Sequence, residues 1–219
     1  MKRFLFLLLI TASLAASPQA VIFDFGGVLT GAPDRECIIH FVCDSLHLSR
    51  TEFEQANAEK KKTLQPGQAD EDFWKDYAQR HGIVLPGDWD QQYKRVVKEA
   101  IRVNPEMFVL VDQLKQQPII VGLLSNIDER FAKLLREFNL YDPFEPCLLS
   151  CELDIEKPDP KIYEILLAQL NVPAEDVIFI DDTLENVVEA KKMGLDAILF
   201  ESVDQIRCEL KNRGLLLEP

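Results

Sequence analysis

The chain has 219 residues, 47% of them hydrophobic, and carries 37 acidic against 24 basic side chains for a formal net charge of -13. That length holds one core domain with a modest insertion, and the apolar fraction is enough for a packed core. The acidity argues against a nucleic-acid partner, because nothing here would neutralise phosphates along a duplex. The single basic run, Lys60-Lys61-Lys62, follows Glu59 on a predicted helix and reads as a solvated face.

The first 15 residues read as a secretory signal peptide. Met1-Lys2-Arg3 is a basic start, and Phe4 to Ala16 is apolar apart from Thr11 and Ser13. Ser13 and Ala15 are small residues at the −3 and −1 positions for cleavage before Ala16. The stretch is too short for a comfortable membrane span, so export without a membrane anchor is expected. The alternative is a cytoplasmic protein with a retained apolar arm. The five cysteines, Cys37, Cys43, Cys147, Cys151 and Cys208, favour that alternative, since an exported chain tends to pair its thiols. Cys37 and Cys43 fall on different faces of a predicted helix, and Cys147 could reach Cys151 only if the chain turns sharply after Leu149. Free thiols are therefore expected.

Ala20 to Leu29, AVIFDFGGVL, predicts a short strand buried on both faces that ends at Asp24 and turns at Gly26-Gly27. A carboxylate at the end of such a strand is costly unless its charge is used. Residues 32 to 100 show helical periodicity at Cys37 to Leu46, Arg50 to Lys61, Glu71 to Arg80 and Trp89 to Arg102, with Pro66-Gly67 and Pro86-Gly87 as breaks. About 90 residues between the first two strands are too many for a plain crossover, so a helical insertion is expected there. Pro118 to Leu124 is a second strand closed by Ser125-Asn126, with a helix from Glu129 to Phe138. A third strand lies near 145–150. Glu156-Lys157-Pro158-Asp159-Pro160 is a turn opening a helix at about Lys161. Asp176 to Ile180 is a fourth strand closed by Asp181-Asp182, followed by a helix from Leu184 to Met193, and a fifth strand lies near 196–200. Alternating strands and helices of this kind predict an α/β parallel sheet.

One chain thus offers a carboxylate, a hydroxyl with an amide, a lysine and a carboxylate pair, nearly all at segment ends. A helix N-terminus beside Ser or Lys suits a phosphate, and clustered carboxylates need a hard cation such as Mg²⁺. Taken singly, each has a plainer reading: helix capping for Ser125, solvent exposure for Lys157 and N-capping for Asp182.

Asp24-Phe25-Gly26-Gly27-Val28, Ser125-Asn126, Lys157-Pro158-Asp159-Pro160 and Asp181-Asp182 resemble motifs one to four of the haloacid dehalogenase (HAD) superfamily, in order and spacing. The resemblance covers about residues 20 to 210. It is nearest to subfamily I members with a helical C1 cap, such as sugar-phosphatase-like proteins and the phosphatase domain of soluble epoxide hydrolases. It implies a doubly wound, Rossmann-like sheet of strand order 3-2-1-4-5, a core of residues 16–31 and 103–219, and a cap of residues 32–102. It implies a Mg²⁺-dependent phosphatase, monomer or homodimer, acting on a small phosphate ester such as a sugar phosphate. Asp24 would be the nucleophile and Lys157 its cationic partner. Asp24, Asp182 and the Gly26 carbonyl would hold the metal, with Asp181 supporting it or a neighbouring hydrogen bond. Ser125 and the Asn126 backbone, with Lys157, would bind the phosphoryl oxygens.

Two positions depart from the family pattern. Gly26 stands where most of its phosphatases carry an acid/base Asp. Asp154 stands where relatives of the form Gly-x-x-Lys-Pro usually carry Gly, and is expected to reshape the loop delivering Lys157. Two alternatives follow: a catalytically impaired HAD-like binding protein, suggested by Gly26, and a metal-independent dehalogenase, which would have no use for the Asp181-Asp182 pair.

Overall fold

The computed structural model describes residues 17–65 and 68–216. The predicted signal segment and the Pro66-Gly67 break lie outside them. Five strands, β1 (Ala20–Phe23), β2 (Ile120–Ser125), β3 (Cys147–Leu149), β4 (Val177–Asp181) and β5 (Asp196–Leu199), form one sheet of order β3-β2-β1-β4-β5. All four pairings are parallel.

The strands alternate their side chains between two helical layers, which is why they read as unbroken apolar runs. Val21, Phe23, Val121, Leu123, Ile178 and Ile180 join a core closed by α5 (Pro105–Leu114), α6 (Glu129–Glu137) and α10 (Val203–Asn212). Ala20, Ile22, Leu124, Val177 and Phe179 face α8 (Pro160–Leu170) and α9 (Leu184–Lys192). Four helices, α1 (Arg35–Leu46), α2 (Arg50–Thr63), α3 (Asp70–Arg80) and α4 (Trp89–Ala100), fill the segment between β1 and α5. They surround an aromatic core of their own, including Phe53, Phe73, Trp74, Trp89 and Tyr93. Leu134 and Phe138 of the α6 segment pack against that core, so α6 is where the insertion rests on the sheet domain.

The chain enters and leaves the insertion through paired segments. Asp34 and Gly31 donate backbone hydrogen bonds to the carbonyls of Ala100 (2.8 Å) and Arg102 (2.9 Å), and Asn104 donates to Leu29 (2.9 Å). This pairing ends α4 at Ala100, two residues before the periodicity does. Local caps set the helix starts: Asp34, Asp128 and Asp159 accept from the first turns of α1, α6 and α8, and Ser49 with Glu52 forms a reciprocal capping box on α2.

Three helices were not expected from the sequence: α5, α10 and the one-turn α7 (Ser150–Leu153). The chain does turn at once after Leu149, yet Cys147 and Cys151 are unbonded, as are the other three cysteines. Asp154, expected to reshape its loop, adopts φ 53° at the end of α7. That is the left-handed conformation glycine favours, and Asp is among the few other residues that tolerate it. Among the described residues no helix is long and apolar enough to cross a membrane.

Candidate active site

Register builds the site. Phe23 pairs with Leu123 on one side and with Ile180 on the other. The next residue of each strand segment, Asp24, Leu124 and Asp181, therefore lies at one level where the sheet order reverses, the crevice in which open α/β sheets bind ligands. Asp24 still donates its backbone N–H to Ile180 O (2.8 Å) before the chain turns away.

Lys157 reaches this level from the loop ahead of α8. Its ammonium donates to Asp181 Oδ2 at 2.6 Å and to the Leu124 carbonyl at 2.8 Å, and forms an ion pair with Asp24 Oδ1 at 2.8 Å. The Lys157 side chain is 1% exposed, that of Asp181 0% and that of Asp24 11%. The ammonium also lies 5.5 Å from the centre of the Phe179 ring. Burial raises the Asp24 carboxyl above the ordinary carboxylate range; Lys157 pulls it down and the neighbouring Asp181 pushes it up.

Asp181 is a hydrogen-bond hub. It accepts from Lys157, from Thr183 N (2.8 Å) and, through both oxygens, from Asn186 Nδ2 (3.1 and 3.0 Å). Asn186 sits in the first turn of α9, and its carbonyl accepts from the buried Tyr163 hydroxyl at 3.0 Å. Asp182 is exposed, and its Oδ1 faces the Thr183 hydroxyl at 3.4 Å. Oxygens of Asp24, Asp181 and Asp182 lie within 4.8 Å of one another. Three carboxylates against one ammonium leave a donor set of oxygens with negative charge in excess, the chemistry of a hard divalent cation site.

The two glycines of the β1 turn differ. Gly27 has φ 78°, and a Cβ there would overlap the Asp182 carboxylate. Gly27 is therefore the space in which Asp182 sits. A Cβ at Gly26 would meet nothing within 4 Å. The gap left by the family's usual Asp is open and imposes no need for glycine.

Ser125 ends β2 and is buried. The Asn126 side chain turns to Lys157: Oδ1 accepts from Lys157 N and Nδ2 donates to Lys157 O, both at 2.8 Å. The following residue is pinned as well, since the Ser150 hydroxyl accepts from Ile127 N at 2.9 Å and lies 3.3 Å from Ile127 O. The structure thus brings Asp24, Lys157, Asp181 and Asp182 together, and ties Asn126 to Lys157. Sequence reasoning missed Asn186 and Ser150. The signal for Asn186 was its place one turn into the helix after a buried carboxylate; Ser150 had none. A separate cavity of about 510 Å³, lined by Leu46, His47, Glu52, Tyr77 and His81 among others, lies between helices of the insertion and involves none of the site residues.

Comparison with known proteins agrees with this geometry. The family described as haloacid dehalogenase-like hydrolase matches residues 18–194. The chain is similar to a sesquiterpene phosphatase of Aspergillus oryzae, with 33% identity over 114 residues covering 52% of this chain and 58% of that one. It is also similar to a phosphorylated carbohydrates phosphatase of Thermotoga maritima, with 30% identity over 109 residues covering 49% and 50%. The chain spans about half the length of these curated relatives. In fold it resembles a HAD family enzyme of Bacteroides thetaiotaomicron solved in complex with magnesium and inorganic phosphate, with TM-score 0.53 and 20% identity, covering 84% of this chain and 94% of that one. With four motifs converging on one end of a 3-2-1-4-5 sheet, the chain belongs to the haloacid dehalogenase-like hydrolases.

Proposed function

We propose that the protein is a Mg²⁺-dependent phosphoric monoester hydrolase working through an aspartyl-phosphate. The observation that carries this reading is a buried Asp24 carboxylate ion-paired with a buried lysine, with Asp182 beside it in an oxygen-only cluster. Asp24, Asp182 and the Gly26 carbonyl would hold the ion, with Asp181 orienting Lys157, and the bound ion would neutralise charge on the phosphoryl oxygens. An Asp24 oxygen attacks phosphorus as the bond to the ester oxygen breaks. The Lys157 ammonium favours the ionised nucleophile against the burial that opposes it, and offsets the charge of the transferring group. Ser125 and the backbone at Asn126 take phosphoryl oxygens. Water then cleaves the acyl phosphate and restores Asp24.

Position 26 supplies no proton to the leaving oxygen. Turnover should therefore favour esters whose alcohols leave as stable anions, and a missing general acid typically costs about 10²- to 10⁴-fold on poor leaving groups. The substrate class is a small phosphorylated metabolite, a reading supported by relatives named for phosphorylated carbohydrates and sesquiterpenes. The insertion would act as the cap that selects it. Turnover of an aryl phosphate that needs Mg²⁺ and stops with EDTA is the expected result; full activity after metal removal overturns the metal assignment. A phosphate-binding protein without turnover is the second reading, favoured by Gly26. Pre-steady-state kinetics separates the two, since an aspartyl-phosphate burst requires an active nucleophile.

Export is part of the same proposal. The protein from its native host should begin near Ala16 and miss Met1, and an intact N-terminus recovered from the cytoplasm overturns it.

A further inference from the structure

We infer that the Asn126 side chain is a positioning group for Lys157 and does not itself contact the phosphoryl group. The inference rests on the proposed role of Lys157 at a phosphate site. Lys157 stands in a loop between β3 and α8, where no strand ladder pairs its main chain, and the residue is only 4% exposed. Buried backbone groups require partners, and the Asn126 carboxamide supplies both, accepting from the Lys157 N–H and donating to its carbonyl. With the carboxamide so committed, its orientation is fixed by the chemistry of its two partners: the oxygen must face an N–H and the nitrogen a carbonyl. Two residues earlier, the Leu124 carbonyl accepts from the Lys157 ammonium. Residues 124 to 126 therefore grip Lys157 at both ends of its side chain. The grip is itself anchored, because Ser150 pins Ile127. A lysine stem has four rotatable carbons and loses much entropy when fixed. Holding the ammonium without holding the backbone would leave the loop free to carry the charge away from Asp24.

The test uses the full protein labelled with ¹⁵N-lysine, and three variants. The buried Lys157 ammonium should give an exchange-protected signal that disappears in Lys157→Arg. In Asn126→Ala that signal should exchange at least about tenfold faster. Calorimetry with inorganic phosphate in the presence of Mg²⁺ should show binding weakened about 10- to 100-fold, while Mg²⁺ alone binds within about twofold of wild type. Asn126→Asp keeps the shape and the acceptor but sets a carboxylate against the Lys157 carbonyl. It should show the same pattern, and carries the test should the alanine variant not fold. An unchanged ammonium signal in Asn126→Ala with weakened phosphate binding would mean that Asn126 touches phosphate directly, and overturns the inference. So does the lack of any protected signal in wild type. Faster ammonium exchange in a protein whose wild type binds no phosphate would leave the positioning role standing and remove the phosphatase reading instead.

Discussion

The sheet domain and the helical insertion treat charge in opposite ways. Around Lys157, ion pairs are almost wholly buried, and the ammonium is also hydrogen-bonded to a main-chain carbonyl. In the insertion, ion pairs such as Arg50 with Glu36, or Arg80 with Asp76, join solvent-exposed side chains. Exposed pairs contribute little because water and salt screen them. A buried cluster is costly to assemble, so it persists where its charge is used. Stability of the insertion comes instead from its aromatic core, where Phe53 stacks on Trp74 and Trp89 on Tyr93. One region buries its charge in a single cluster; the other keeps it at the surface.

Breaking the buried side should have the largest effect. Asn at position 24 should lower turnover at least about 10³-fold. The same variant should be more stable than wild type in metal-free buffer, and the sign of its pH dependence follows from the raised Asp24 pKa. A carboxyl raised in the folded state disfavours folding progressively as pH climbs from the ordinary carboxylate range through the folded value. The advantage of Asp24→Asn should therefore grow with pH and fade toward acid. Denaturant melts across that range check it.

Next comes Gly27→Ala, whose new methyl overlaps the Asp182 carboxylate at a positive φ. Mg²⁺ affinity should fall about 10- to 100-fold, read by calorimetry. Gly26→Asp sharpens the contrast within one turn, because nothing lies within 4 Å of the new Cβ. It should fold normally and raise turnover of alkyl phosphates at least about tenfold, flattening the dependence on leaving-group pKa. The smallest effect belongs to the exposed side. Lys75→Ala removes ion pairs to Asp72 and Asp90 whose side chains are about half exposed and well screened, so stability should fall by less than ~1 kcal/mol and turnover should not change.

Much of the sheet domain was legible because buried parallel strands announce themselves as short apolar runs ending in polar residues. Asp24, Ser125 and Asp181 stand at such ends. β1 stops at Phe23, one residue before the expected Asp24, while its neighbours continue to Ser125 and Asp181, because its chain turns away toward Gly26-Gly27. The order of the strands came through the family resemblance, since periodicity carries no pairing information. Helices α5 and α10 were missed where the strand after or before them dominated the reading. The bracing residues were harder still. Ser150 holds a main chain 23 residues away, and Asn126 holds one 31 residues away, so nothing in their neighbourhoods marks them. Their role exists only once the strands are in register.

Lys157 gives the fold one further property. Its ammonium ties Asp24, Leu124 and Asp181, one position from each of β1, β2 and β4 at their carboxyl ends. Three central segments are laced through a single cation, and the site cannot loosen locally without stranding charges inside the protein. Loss of activity on heating should then coincide with global unfolding rather than precede it. In this protein catalytic competence and structural integrity would be read by the same measurement.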